Sequence, residues 1–187
     1  MQQNILDNIA GKQVDRLVRT VVRISDKLGK SEPTIVDTDH LRQLPKGTFG
    51  RAWIDQMDAT GLTPFKQGPR RLQLHDGIHI LTGYKTDPLG EAEVQAFLLG
   101  AKFRAFHGVI LSQMILAVAL FKPVARRVGQ GYPEGFGFPE FMQHIKQAYR
   151  LGKQSNIDPD KWEPEKLWDK PFEEVRSLFN VNPSSVQ

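Results

Sequence analysis

The sequence predicts an all-α protein, a single compact domain of about six to eight helices. Three observations predict it. Apolar residues recur at intervals of three and four through most of the chain, the spacing that gathers them on one side of a helix. Strand-like alternation is nearly missing, and its best run, Thr34–Asp37, is too short to count. The periodic segments are punctuated by capping residues, glycine and proline, as helices are. The chain has 187 residues, enough for one domain with its own core. Residues 1–181 are expected to form it, with 182–187 a disordered tail.

The elements follow in order. Ile5, Leu6, Ile9, Ala10, Val14, Leu17, Val18, Val21 and Leu28 trace one apolar face, which Pro33 ends. Asp37–Leu44 is a short helix stopped by Pro45. Thr48 is an N-cap for a helix carrying Phe49, Trp53 and Met57, with Gly61 just past its end. Pro64, Gly68 and Pro69 mark a loop before a helix over Arg70–Tyr84. Pro88, at a first helical position, opens the next. Phe103–Val128 is a long apolar helix bent at Pro123, and Gly129–Pro139 is a glycine-rich aromatic loop. Phe141, Ile145 and Tyr149 then stack at spacing four in a helix ending at Gly152. Pro171 begins a last short helix with Phe172, Val175 and Leu178.

Composition narrows the function. With no cysteine, disulfides, thiolate metal sites and cysteine nucleophiles are excluded. A net charge of +4 is too small to argue for nucleic acid. The start of the chain lacks a secretory pattern. The longest apolar region, 14 residues from Gly108 to Phe121, is shorter than the roughly 18–20 residues a membrane span needs. It is expected to form a buried core helix or to line an apolar cavity. The cytosol is therefore the expected compartment, with peripheral contact to a membrane.

One constellation carries chemistry: His75-Asp76-Gly77-Ile78-His79. At about 100° per residue, His75, Asp76 and His79 lie near 0°, 100° and 40° around a helix, all on one side. Glu91 on the same straight helix would lie roughly 18 Å further along. Gly83 and the Thr86–Gly90 run break the helix, so a hairpin can return the Glu91 carboxylate to the other three. Two imidazole nitrogens and two carboxylates suit zinc best, with iron, manganese or magnesium as alternatives. Asp87 and Glu91 are also ordinary residues for a helix start, where acids oppose the macrodipole, and His75 and His79 suit an ordinary surface at i and i+4.

This string, His75-Asp76-x-x-His79 followed by eleven residues and Gly90-Glu91, resembles the signature of the coenzyme Q (ubiquinone) biosynthesis protein 4 family. Trp162-Glu163, the Glu173-x-x-Arg176 element and the Gly50-Arg51 step are similar to further family elements. The resemblance departs at Arg70, Arg71, Leu72 and Gln73, where the family usually carries Arg-Tyr-Arg-Glu, and near Leu98, where an acid is usual. It implies a helical, membrane-associated protein of quinone biosynthesis. Such a protein binds a divalent metal, usually zinc, and a polyprenyl (isoprenoid) intermediate. It also organises the pathway's enzymes. The resemblance further implies oxidative decarboxylation of the quinone head group, a lyase or oxidoreductase activity. The alternative is a non-enzymatic lipid-binding scaffold with a structural metal. A His-Asp phosphohydrolase built on His40, His75-Asp76 and Asp158 is weaker, since it leaves His79 and Glu91 without roles.

The neighbouring residues add candidates for the lipid. Between Val94 and Pro133 there is no acidic residue, while Lys102, Arg104, Lys122, Arg126 and Arg127 fall there with most of the apolar run. A greasy tail would meet wall residues such as Phe97, Phe103, Phe106, Met114 and Phe121, and Arg70 and Arg71 would meet an anionic head group. Plain core packing and a solvated face are the simpler readings of the same residues. His107 is expected to be a satisfied core histidine, and His40 and His144 surface residues. The basic face and the amphipathic first helix permit a homodimer.

Overall fold

The computed structural model describes residue 20 and residues 22–121, 124–125, 128–133 and 135–181. Most of the first amphipathic helix, the Lys122, Pro123, Arg126 and Arg127 positions and the 182–187 tail lie outside these residues. Residues 22–27 are helical. The chain then forms β1 (Glu32–Pro33), α1 (Thr38–Gln43), α2 (Phe49–Thr60), β2 (Gln67–Gly68), α3 (Arg70–Gln73), α4 (His75–Thr82), α5 (Pro88–Ala101), α6 (Ala105–Leu120), α7 (Phe138–Gln154) and α8 (Phe172–Leu178). The all-helical expectation holds. Among the described residues, strand structure is limited to a two-residue antiparallel pairing of β1 with β2 and one isolated bridge between Thr48 and Pro171.

Local signals set most helix ends. Asp37 caps α1, accepting from the Asp39 and His40 amides. Thr48 caps α2, and Gly61 ends it at φ 69°, in the left-handed region. Asp87 caps α5 through the Gly90 amide, with Pro88 in the first turn. Three elements differ from expectation. The helix predicted over Arg70–Tyr84 is two helices, α3 and α4, broken at Leu74 and closed by Gly83 at φ 79°. Gln73 explains the break. It is buried, accepts from the Ile35 amide, and donates to the carbonyls of Glu32, Pro33 and Gly68. It thereby pins the β1–β2 pairing to the start of the site helix.

The apolar run also differs. It forms α6, but α6 is not a core helix. His107, Leu111 and Val118 face inward, while Phe106, Val109, Leu116 and Leu120 are exposed. The central buried helix is α5, in which every residue from Ala92 to Leu98 is buried. Finally, α7 does not stop at Gly152 but runs to Gln154. Gly152 is where α7 crosses α5. A Cβ there would lie 2.1 Å from the Phe97 carbonyl oxygen, and one at Gly100 would lie 2.2 Å from that of Tyr149. Glycine at both positions lets the two backbones touch.

Beneath α4 lies an aromatic nest. Phe49 stacks on Phe172 at 5.9 Å between ring centroids, and Trp53 meets Trp168 edge-on at 4.9 Å and Trp162 at 6.0 Å. A Cβ on Gly77 would fall 2.0 Å from the Trp53 ring, so α4 rests directly on the indole. Trp162 and Trp168 are the packing anchors expected. Among the described residues no helix is long and apolar enough to cross a membrane.

Candidate metal centre

The hairpin of α4 and α5 returns Glu91 to the histidines. His75 and His79 are one turn apart on α4, and their rings meet nearly edge-on with centroids 5.1 Å apart. His79 Nε2 lies 3.3 Å from His75 Nε2 and 3.2 Å from Glu91 Oε1, and His75 Nε2 lies 3.2 Å from Glu91 Oε2. The return depends on Gly90. A Cβ there would sit 1.8 Å from the Lys85 carbonyl oxygen. Only glycine lets α5 begin against the turn, so the Gly90-Glu91 pair works as one unit.

The other end of α4 is held from a distance in sequence. Arg176, from α8, donates to the Leu81 carbonyl at 3.0 Å and the Ile80 carbonyl at 3.4 Å. Its charge sits where the helix leaves carbonyls unpaired. Glu173 pairs with it at 3.0 Å and Phe172 lies beneath it. The Glu173-x-x-Arg176 element thus braces the site helix. Gly50 has a similar packing reason, since a Cβ there would press on Leu41, Leu44 and Trp168.

His79 is 1% exposed. Its Nδ1 lies 3.2 Å from the Tyr84 carbonyl, an acceptor only, so Nδ1 carries the hydrogen and Nε2 turns its lone pair to the cluster. Metal-bound histidines are oriented in this way. Burial alone would raise the Glu91 pKa, but where a proton takes the place of an ion on Nε2 of each imidazole, the N–H groups of His75 and His79 donate to the carboxylate and hold it down to about 2. Burial opposes protonation of His79, yet Glu91 and the Tyr84 carbonyl raise its pKa above the usual 6.5. Burial raises that of Asp76.

The donor set fits a divalent metal. An ion bound tetrahedrally at zinc's usual bond lengths holds its ligands about 3.3 Å apart. The two histidine Nε2 atoms, 3.3 Å apart, have that spacing before any ion enters, and each already has a Glu91 oxygen at 3.2 Å, Oε2 beside His75 and Oε1 beside His79. One atom from each of His75, His79 and Glu91 lies within 4.8 Å of the others. Asp76 is half-buried and close enough for its charge to act on the cluster, but it is not in that group and makes no hydrogen bond among the described residues. His40 is exposed, and Asp158 is held by Lys102 at 2.7 Å.

The predicted lipid-contact residues are not equivalent. Arg70 is saturated: it binds Glu32, both Glu165 oxygens and the Trp162 carbonyl. Arg71 binds Asp160 at 2.9 Å through one nitrogen. Phe103 and Phe106 are exposed, Met114 is half-buried, and Phe97 is core. The two remaining buried or half-buried histidines differ in how they meet expectation. His107 is a core histidine as expected, with its Nδ1 2.6 Å from Gln95. His144 is not a plain surface residue. It pairs with buried Glu93 at 2.8 Å and meets the rings of Tyr132 and Phe136 from the glycine-rich loop. No spacing within one helix joins residues 51 positions apart.

No family model matches the chain. Curated relatives do. The chain is 25% identical over 183 residues to the mitochondrial ubiquinone biosynthesis protein COQ4 of Mycosarcoma maydis, covering 81% of this chain and 49% of that one. To COQ4 of Coprinopsis cinerea it is 26% identical over 161 residues, covering 78% and 50%. A 76-residue stretch is 33% identical to the COQ4 homologue of Bos taurus, covering 33% and 29%. The chain thus spans about half the length, or less, of the curated relatives it matches. Among solved structures it is similar to a Nostoc punctiforme protein provisionally named a ubiquinone biosynthesis protein. The TM-score is 0.63 at 25% identity, over 80% of this chain and 70% of that one.

Proposed function

Because the chain is a divergent member of the COQ4 family, we propose that it acts in the biosynthesis of ubiquinone or a related prenylquinone, holding zinc or another divalent metal and a polyprenyl intermediate. The observation that carries this reading is the His75–His79–Glu91 cluster, in which the two Nε2 atoms stand 3.3 Å apart, the spacing of zinc ligands, with a Glu91 oxygen 3.2 Å from each. Asp76, beside it and without a hydrogen bond of its own, is the reserve ligand. A cation held there supplies Lewis acidity toward an oxygen-bearing head group. The chain's own residues do the positioning. Tyr84 fixes the His79 tautomer, Glu91 stays ionised at neutral pH, and Arg176 braces the helix that carries both histidines. Oxidative decarboxylation of the quinone head is the reaction this reading assigns.

The outer face of α6 supports a lipid or membrane contact. Phe106, Val109, Leu116 and Leu120 share one exposed side of the helix, and Phe103 and Phe121, just beyond its two ends, are exposed as well, more apolar surface than single scattered residues account for. The same face favours a second reading, a non-enzymatic scaffold that binds lipid, holds a structural metal and gathers the pathway's other enzymes at a membrane surface. Both readings expect an isoprenoid ligand. Mass spectrometry of an organic extract of protein purified without chelator should find a polyprenyl aromatic compound in wild type. An extract free of any isoprenoid contradicts both. Turnover in wild type that disappears in a folded His75→Ala variant separates the enzyme from the scaffold.

A further inference from the structure

Arg70 and Arg71 are neighbours in sequence with opposite situations. Every direction in which Arg70 donates meets an acceptor. Arg71 uses Nη1 on Asp160, but its Nε and Nη2 are buried and meet no acceptor. These two N–H groups form the side-on fork of the guanidinium, the geometry that grips two oxygens of a carboxylate or phosphate. Leaving charged donors buried and unpaired is costly, and burial accordingly pulls the Arg71 pKa below its ordinary value.

Two further observations favour an anion at that fork. Among the described residues Arg71, Lys102 and Arg104 share Asp158 and Asp160 as their acidic partners, so this cluster keeps a surplus positive charge. The fork also belongs to the neighbourhood of the metal triangle. Arg71, in α3, lies four residues before His75, the first residue of α4. Phe103 and Phe106, on either side of Arg104 of this cluster in sequence, are exposed, so an aromatic or apolar body has apolar surface beside the charged end.

We propose that Arg71 is the anion-recognition residue of this site, its Nε–Nη2 fork taking the paired oxygens of a ligand whose head lies beside the His75–His79–Glu91 triangle. The ligand class is an aromatic or lipid-like oxyanion, a carboxylate or a phosphate monoester. This rests on the reading of the triangle as a metal centre. It does not come from the family pattern, which usually has tyrosine at the position of Arg71.

The test uses benzoate and phenyl phosphate as probes, with the zinc-loaded and the metal-free protein. Nitrogen-15 NMR follows the Arg71 Nε–H signal, identified by its loss in Arg71→Lys. The expected result is a saturable shift of that signal with one probe, an affinity lower by about tenfold in Arg71→Lys, and unchanged zinc stoichiometry. Preference for benzoate identifies a carboxylate ligand, and preference for phenyl phosphate a phosphate monoester. A signal that neither probe moves overturns the inference, as does wild-type affinity in Arg71→Lys. If Arg71→Lys does not fold, titration of the wild-type signal decides, with assignment by selective arginine labelling. Zinc bound without anion binding overturns this inference alone. Anion binding at Arg71 in a chain that takes no zinc overturns the metal reading and leaves the fork standing.

Discussion

His79→Ala is expected to abolish stoichiometric zinc binding, lowering zinc affinity by at least about a hundredfold. Removing even a partner that only orients a ligand commonly costs 10–100-fold, and His79 is the inner ligand of the triangle. It is the most buried of the three and the only one whose second nitrogen is fixed by a backbone carbonyl. Its loss leaves His75 as the one imidazole, with the carboxylates of Glu91 and the reserve ligand Asp76, a set that no longer holds zinc tightly. The metal-free variant should also be less stable by roughly 1–3 kcal/mol, because the Tyr84 carbonyl loses its donor in a buried setting. Isothermal titration with zinc and chemical denaturation of both proteins check this. A variant that still binds one zinc with wild-type affinity removes His79 from the site.

The second large effect is expected at Gly90→Ala. The added methyl meets the carbonyl oxygen, carbonyl carbon and amide nitrogen of Lys85 at 1.8, 2.6 and 2.8 Å. These are backbone atoms and cannot swing aside as a side chain would, so the turn between α4 and α5 has to open. Overpacking of this kind costs about 1–3 kcal/mol, and the upper end applies where backbone meets backbone. Opening the turn also draws Glu91 from the histidines, so zinc affinity should fall although no ligand has changed. Gly108→Ala is the control. The nearest atom to its new methyl is 3.9 Å away, and in a helix that exchange is neutral or stabilising by up to about 1 kcal/mol. Wild-type stability and zinc affinity in Gly90→Ala would contradict this account of the Gly90-Glu91 pair.

How much of this could be read in the sequence depended on the range of the forces involved. Asp37, Thr48, Gly61 and Pro88 act within one turn, and the helix ends they signal are where the sequence places them. His75, His79 and Glu91 were legible because a four-residue spacing and one breakable turn suffice to join them. Leu74 was not legible as a break, because its cause is Gln73 bonding to residues 32–35 and 68, a contact that closes across about forty positions. The burial of α5 rather than α6 was hidden for a related reason. Both segments are mostly apolar with no long polar side, and which one becomes central depends on the Gly100 and Gly152 contacts that draw α7 onto α5. Arg70 and Arg71 look alike in sequence, and only the positions of Glu32, Glu165 and Asp160 tell them apart.

The central claim is that His75, His79 and Glu91 hold one divalent metal across the α4–α5 hairpin. Zinc-edge X-ray absorption on chelator-stripped protein reloaded with one equivalent of zinc tests it most directly. The spectrum should show a four-coordinate ion with two imidazole nitrogens at about 2.0–2.1 Å and the remaining ligands oxygen. Occupancy should fall as pH drops through the raised pKa of His79, where a proton competes for Nε2. An ion surrounded by oxygen alone, or by one imidazole or none, would contradict that claim.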